Sequence, residues 1–478
     1  MAKRPLVLVH GYSDKGESFA TWCTRLAGSG SFPLEDLSVC SYESLTNEVT
    51  IKDVGEAFDR ALAVQTTIKP DDEFDVIVHS TGMLVVRAWL AGRDRSRIRR
   101  LKHLVAIAPA TFGSPLAHKG RSTLASFFKG NRKIGPDFLE AGDQILDGLE
   151  LGSRFQWDLT HRDVFVAQPV YGAGSDTPWV FTFCGTEGYK GLRRLINEPG
   201  TDGTVRWTGC SLNCRKVEMD LTRPPTEKRV DFGNWQHVAA PTVLLKDMNH
   251  STIVSNPTDE LVRLVTRALD VNTLDDYQRW QREAAQSSQF EQLARDGEIY
   301  QQFIVRATDE RGDPVPDYHV EVFTREGDGD REGRIIEAFG DAPHPYSADR
   351  SLCCFHVNLA KVADEKLTNL WLRVFVSSGS ALVAYQGHGT LPGASDKVIE
   401  VGGNPFDAEG STELEIDLSE HLPKQGQGAD SGNGSGVGFF EPFTTTLVEL
   451  RFNREPFPFS GATKLLRWLK VQDLLEGA

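Results

Sequence analysis

Apolar and polar positions follow two different periods along the 478 residues of this chain, and the change falls near residue 300. Up to that point, short unbroken apolar runs alternate with stretches whose apolar residues recur every three or four positions. The runs at 6–9, 37–42, 76–78, 104–108, 179–184 and 242–245 predict strands covered on both faces, which have no need of polar alternation. Between them, Val54, Phe58, Ala61 and Leu62 fall at helical spacing, as do Leu84, Val85, Ala88 and Trp89. Strands alternating with helices predict βαβ units and a parallel sheet. Ligands bind such sheets at the carboxyl ends of the strands, so the loops opening at His10, Ser80 and Pro109 are predicted to converge.

A long insertion, about 113–177, precedes the run at 179–184. Its apolar positions, among them Leu124, Phe127, Phe128, Phe138, Leu139, Ile145, Leu146, Leu149, Leu151, Phe155 and Trp157, predict two or three short amphipathic helices. The insertion falls where a cap would cover the converging loops. Tyr277, Trp280, Ala284, Phe290 and Leu293 punctuate a Gln- and Glu-rich helical stretch that reads as a connector. From Gln302 onward the period becomes two. Runs at 303–307, 319–323, 354–357, 370–375, 382–385, 398–401, 414–417 and 447–450 predict short strands, and Gly, Pro and Asp turns between them suggest a β-sandwich. The Gly-, Ser- and Gln-rich stretch 424–438 reads as flexible, and 463–475 as a terminal amphipathic helix. The predicted division is 1–272, a helical linker 273–300, and a β-rich domain 301–478.

Composition narrows the partners. A net charge of −15 argues against nucleic acid, because phosphate contacts need a basic surface. No apolar run is long enough to span a membrane, and 6–9 is too short for a signal-peptide core. A cytoplasmic protein is expected, with export by a route lacking an N-terminal signal left open. Seven cysteines in a chain of this length form no dense framework, and most read as buried thiols in a reducing compartment.

The stretch 75–90 carries the strongest chemical signal. An apolar run turns at His79-Ser80-Thr81-Gly82 into a helical pattern, and a serine at such a turn exposes its hydroxyl as a nucleophile. The helix N-terminus beside it favours developing negative charge. Val78 stands where G-x-S-x-G would have its first glycine, and Met83 where a second is frequent. A serine hydroxyl needs a base, and the base an orienting acid. His250, in a loop after the run at 242–245, is the base candidate. Asp202, in the glycine-bracketed loop Gly200-Thr201-Asp202-Gly203, is the acid candidate. His103, His118, His161 and His237 are rival bases, and Asp176, Asp220, Asp231 and Asp247 rival acids. His79 adjoins the nucleophile and is predicted to point away from it. Backbone N–H groups of Tyr12, after the first strand, and of Thr81 are candidate oxyanion donors. No zinc, EF-hand, phosphate-loop or dinucleotide motif accompanies these residues, so no cofactor and no metal are expected.

The order of these pieces resembles the α/β-hydrolase superfamily, of the lipase and esterase type, from Leu6 to about Asn256. It rests on Leu8-Val9-His10-Gly11-Tyr12, on His79-Ser80-Thr81-Gly82 with 84–90, on 108–117, on 200–205 and on 248–254. The resemblance implies an α/β fold, a mostly parallel sheet with helices on both faces and a helical cap, here followed by the sandwich. It also implies Ser80, Asp202 and His250 as a triad acting on a carboxylic ester, most simply a lipid or acyl ester. Two alternatives remain: acyl transfer on the same fold, and an inactive hydrolase-fold scaffold whose β-domain binds a protein partner. A peripheral membrane contact through the terminal helix is the weaker reading of that segment.

Overall fold

The computed structural model describes residues 4–14, 16–28, 30, 32–64, 68–92, 94–117, 142–168, 170–172, 176–233, 240–326, 331–340, 343–363, 369–380, 383–388, 411–422, 439–456 and 470–476. The first part holds strands β1 Leu6–Val9, β2 Leu37–Cys40, β3 Phe74–His79, β4 Leu101–Ile107, β5 Trp179–Gly185, β6 Cys214–Asp220, β7 Val230–Phe232 and β8 Thr242–Leu245. It also holds helices α1 Ala20–Gly28, α2 Ile51–Val64 and α3 Gly82–Ala91.

Strands β1 to β5 and β8 form one parallel sheet in the order β2-β1-β3-β4-β5-β8. Its two faces explain the unbroken apolar runs. Successive side chains point to opposite faces. Val76, Val78, Leu104 and Ala106 therefore join a core with α2 and α3, while Ile77, Val105 and Ile107 join another with α1. The helix Leu274–Ser287, predicted as a connector, lies in that second core. Its Trp280 ring stands edge-on to Phe181 at 4.7 Å, and its indole N–H donates to the Leu264 carbonyl at 2.9 Å.

The period-two region holds β9 Tyr300–Asp309, β10 Tyr318–Glu326, β11 Arg331–Ile335, β12 His344–Pro345, β13 Leu352–Asn358, β14 Trp371–Ser377, β15 Val383–Gln386, β16 Ser411–Asp417 and β17 Thr445–Pro456. One sheet runs β11-β10-β14-β16 and the other β12-β13-β9-β17-β6-β7, with β15 also paired to β17. Phe303, Val305, Val322, Leu372, Val374, Leu414, Val448 and Leu450 fill the space between them, which makes a sandwich.

The strands β6 and β7 depart from the expected division at residue 272. They add to the second sheet, β6 lying parallel to β17 from Cys214↔Thr445 to Asp220↔Arg451. The outer face of this sheet is not exposed either. Tyr300, Ile304, Leu352, Cys354 and Leu447 belong to the same core as α2 and α3. One of the apolar cores is therefore built from both halves of the chain.

Several expectations fall outside the described residues: Leu124, Phe127, Phe128, Phe138 and Leu139 of the insertion, the strand at 398–401, the stretch 424–438 and the first part of the terminal helix. Of that helix, Val471–Glu476 is described. Among the described residues no helix is long and apolar enough to cross a membrane.

Candidate active site

The strand β3 delivers Ser80 directly into α3. The backbone makes the reversal with Ser80 at φ 53°, a left-handed conformation that non-glycine residues rarely hold. It is pinned by its neighbours: the Ser80 N–H donates to Ile107 O at 3.3 Å, and the Ala110 and Met83 N–H groups donate to Ser80 O at 3.1 and 3.2 Å. Gly82 lets α3 start hard against β1, because a Cβ there would lie 2.6 Å from Val9 O and 2.9 Å from His10 O. Gly11 does the same for the loop after β1, whose missing Cβ would sit 2.8 Å from the Ser80 Cβ. Val78 is the last strand residue but one before the turn. It lies fully buried within the sheet, with the small Ala106 beside it in register on β4.

The imidazole of His250 stands over this turn. Its Nε2 is 3.0 Å from Ser80 Oγ, and its Nδ1 is 2.9 Å from Asp202 Oδ2. A carboxylate can only accept, so Nδ1 carries the proton and Nε2 is left to accept from the serine hydroxyl. The other carboxylate oxygen of Asp202 accepts the Thr204 and Val205 N–H groups at 2.9 and 2.8 Å. The His250 backbone N–H also donates to the Asp202 carbonyl at 3.1 Å, which ties the two loops backbone to backbone as well as through their side chains. Asp202 is wholly buried, whereas Ser80 keeps 8% of its surface. Ser80 and His250 line the pocket, and Asp202 does not.

Residues 80, 202 and 250 thus meet as the chain order implied. Tyr12 and Thr81 line the same pocket as Ser80 and His250, one from the loop after β1 and the other at the start of α3. His79 differs from expectation. Its ring lies 4.8 Å from that of His250, and its Nε2 is 3.0 Å from His250 O, where it donates. Burial first, and then the neighbouring His250, hold His79 well below the ordinary histidine range, so it stays neutral. It holds the His250 backbone carbonyl, and its ring lines the same pocket. Strand alternation misled here because Ser80 has already left the strand. The rivals lie elsewhere: Asp176 pairs with Arg99, Asp220 with Arg223 and Asp231 with Lys228, and Asp247 is exposed. His161 bonds to Trp157 O. His118 and His237 lie outside the described residues.

The pocket above Ser80 measures about 250 Å³. Ala110, Ala117, Leu146 and Leu149 give it an apolar wall, the two leucines coming from the helix Asp143–Leu149 of the insertion. Asp14, Ser18, Ser251 and Ser255 give it a polar one. Among the described residues no group of three or more His, Cys, Asp or Glu side chains is arranged to hold a metal ion.

No family model matches the sequence, and no curated protein matches it either. Solved structures do. Phospholipase PlaB from Legionella pneumophila superposes with a TM-score of 0.74 at 19% identity, covering 98% of this chain and 98% of that one. The same phospholipase in complex with thio-NAD gives 0.72 at 20% identity, covering 97% of each. The fold is that of an α/β-hydrolase. The likeness to the phospholipase runs through the sandwich as well as the parallel sheet, since it spans nearly the whole chain. The mature Bacillus licheniformis lipase BlEst2 aligns with only 55% of this chain, at 14% identity and a TM-score of 0.36.

Further residues shape this site: His10, whose turn with Gly11 the sequence marked, and Tyr42, Cys184 and Tyr189, which it did not. His10 stacks on Tyr42 at 4.3 Å; its Nε2 accepts the Tyr42 N–H at 3.0 Å, which leaves Nδ1 to donate to Gly11 O at 2.7 Å. This clamp fixes the turn that carries Tyr12. The Cys184 thiol donates to Asp202 Oδ2 at 3.7 Å. Tyr189 OH meets Thr204 Oγ1 at 2.7 Å. Each is an ordinary residue type whose place only the folded chain reveals.

Proposed function

We propose that this chain is a serine hydrolase that cleaves a carboxylic ester of the lipid or acyl class. The observation that carries the reading is the hydrogen-bonded line Ser80 Oγ, His250 Nε2, His250 Nδ1, Asp202 Oδ2, at 3.0 and 2.9 Å. In it Ser80 attacks the ester carbonyl as His250 takes its proton, and the alkoxide leaves with that proton, giving an acyl-enzyme. Water then repeats the sequence and releases the acid. Asp202 holds the imidazole in the productive tautomer and stabilises the imidazolium. The N–H groups of Tyr12 and Thr81 bind the oxyanion, each worth about 3 kcal/mol of barrier. The apolar wall of Leu146 and Leu149 supports an acyl substrate, and a phospholipase as structural neighbour makes phospholipids the first lipids to test.

A fluorophosphonate probe and an ester panel test this. The probe labels the wild type and not Ser80→Ala, and Ser80→Ala or His250→Ala lowers kcat by roughly a million-fold, with Asp202→Ala costing less, about ten-thousand-fold. A folded protein that takes no label and cleaves no ester is instead a scaffold. Acyl transfer appears as new ester product when an alcohol is supplied.

A further inference from the structure

The pocket leucines sit on a helix whose neighbouring positions are held by the sandwich. Leu146 and Leu149 are three residues apart, so they share one side of the helix Asp143–Leu149 and face the pocket. Asp147 follows Leu146 by one residue, a turn of about 100°, and lies on the adjacent side, while Glu150 caps the C-terminal end of the helix in an extended conformation. Together they meet β12 and the loop leading out of it. The Tyr346 hydroxyl donates to Asp147 Oδ1 at 2.8 Å. The Ser347 N–H donates to Glu150 Oε1 at 2.9 Å, its hydroxyl donates to Glu150 Oε2, and His344 Nε2 lies 3.2 Å from Oε1. Glu150 is 4% exposed. Burial alone would favour its neutral form, but the bonds from His344 and Ser347 hold its carboxyl below the usual range. The loop is itself fixed to the sandwich, by β12 pairing with β13 and by the Tyr346 N–H donating to Leu352 O at 2.9 Å.

We propose that the sandwich sets the acyl selectivity of the Ser80 pocket, because its segment 344–347, β12 and the turn after it, clamps the helix that presents Leu146 and Leu149. Tyr346 and Ser347 are positioning residues; neither lines the pocket. The proposal rests on the ester-hydrolase reading above. Methylenes gain from a wall that stays at contact distance and lose that gain when the wall can move away. An acetyl group has too little length to use the wall. Loosening the clamp therefore weakens long-chain esters more than short ones.

The test uses the full chain. Initial rates on p-nitrophenyl esters from acetyl to octanoyl give kcat/KM for the wild type and for Tyr346→Phe/Ser347→Ala. The octanoyl-to-acetyl ratio falls by about threefold or more in the double variant, a step smaller than a whole methylene contributes to discrimination. A ratio that changes less, or rates that fall equally on every ester, overturns the clamp. Should the double variant fail to give a cooperative melt, Ser347→Ala alone, which removes one hydroxyl, is judged by the same ratio. Fluorophosphonate labelling of the wild type separates the two levels. Labelling at Ser80 with an unchanged ratio overturns the clamp only, whereas no labelling and no ester cleavage overturn the hydrolase reading and the clamp with it.

Discussion

Two buried histidine–carboxylate pairs sit on the same parallel sheet, and residue type does not tell them apart. His103 Nδ1 lies 2.6 Å from Asp75 and its Nε2 2.6 Å from Val271 O, so both ring nitrogens are engaged. That pair is at the amino ends of β3 and β4. His250 differs in having a hydroxyl on its second nitrogen, at the carboxyl ends where the loops open. Other histidines affect stability instead. His79 and His356 are both held well below the ordinary value of 6.5, each chiefly by burial, with His250 and Arg206 respectively adding repulsion. A histidine whose folded value is depressed takes up a proton more readily when unfolded. Its contribution to stability is therefore complete above about pH 6.5 and is lost as the pH falls from there toward the folded value. Thermal melts recorded from pH 7.5 down to 5 are expected to show a falling Tm. His356→Phe, which keeps a ring against Tyr300, is expected to flatten part of that fall. An identical slope in the variant would remove His356 from this account.

At the level of elements, α3 is held from both ends of the insertion. Arg87 is fully buried on α3, its Nε and Nη2 on the two oxygens of Asp163 at 2.8 and 3.0 Å and its Nη1 on Thr111 O at 2.8 Å. The Tyr171 hydroxyl closes the set on Asp163 at 2.7 Å. Asp163 ends the helix Arg154–Asp163, so the pair ties α3, which follows Ser80, to the second described helix of the insertion. Arg87→Met leaves Asp163 buried without its partner and is expected to cost about 3–5 kcal/mol in urea unfolding. Arg87→Met/Asp163→Leu removes both charges and recovers most of the loss. An Arg87→Met effect below about 1 kcal/mol would mean that water reaches Asp163. The hydrophobic pattern could signal the elements but not this tie. Apolar spacing marked α3 through Leu84, Val85 and Trp89, whereas a charged Arg87 in the same pattern reads as a solvated position. The insertion was legible as amphipathic helices at Ile145, Leu146, Leu149 and Trp157, all of which are buried.

Across the whole molecule, the parallel sheet and the sandwich do not separate. Strand β6 comes from the first half of the chain and pairs with β17 near its end. Thr445 Oγ1 donates to Thr208 O at 3.0 Å, six residues along the chain from Asp202. A chain ending at residue 295 would leave β6 without β17 and expose the side of Val205, Trp207 and Cys214 that packs on Tyr300, Ile304 and Leu447. Such a truncation is expected to show no cooperative melt and to bind a hydrophobic dye; a sharp transition near that of the full chain would contradict the shared core. The sequence by itself determined the local choices: apolar runs buried on both faces of a parallel sheet, period-two strands after residue 300, and a serine turn followed in order by an acid and a histidine. These follow from periodicity and turn chemistry, which act over a few residues. Only the tertiary structure decided which strands share a sheet, that the expected linker helix is core, that His79 packs against His250, and that the segment 344–347 bonds to Asp147 and Glu150 beside the pocket leucines. Those outcomes depend on contacts between positions far apart in the chain, such as Tyr346 with Asp147 or Thr445 with Thr208, and no local pattern encodes which distant partner a polar side chain will find.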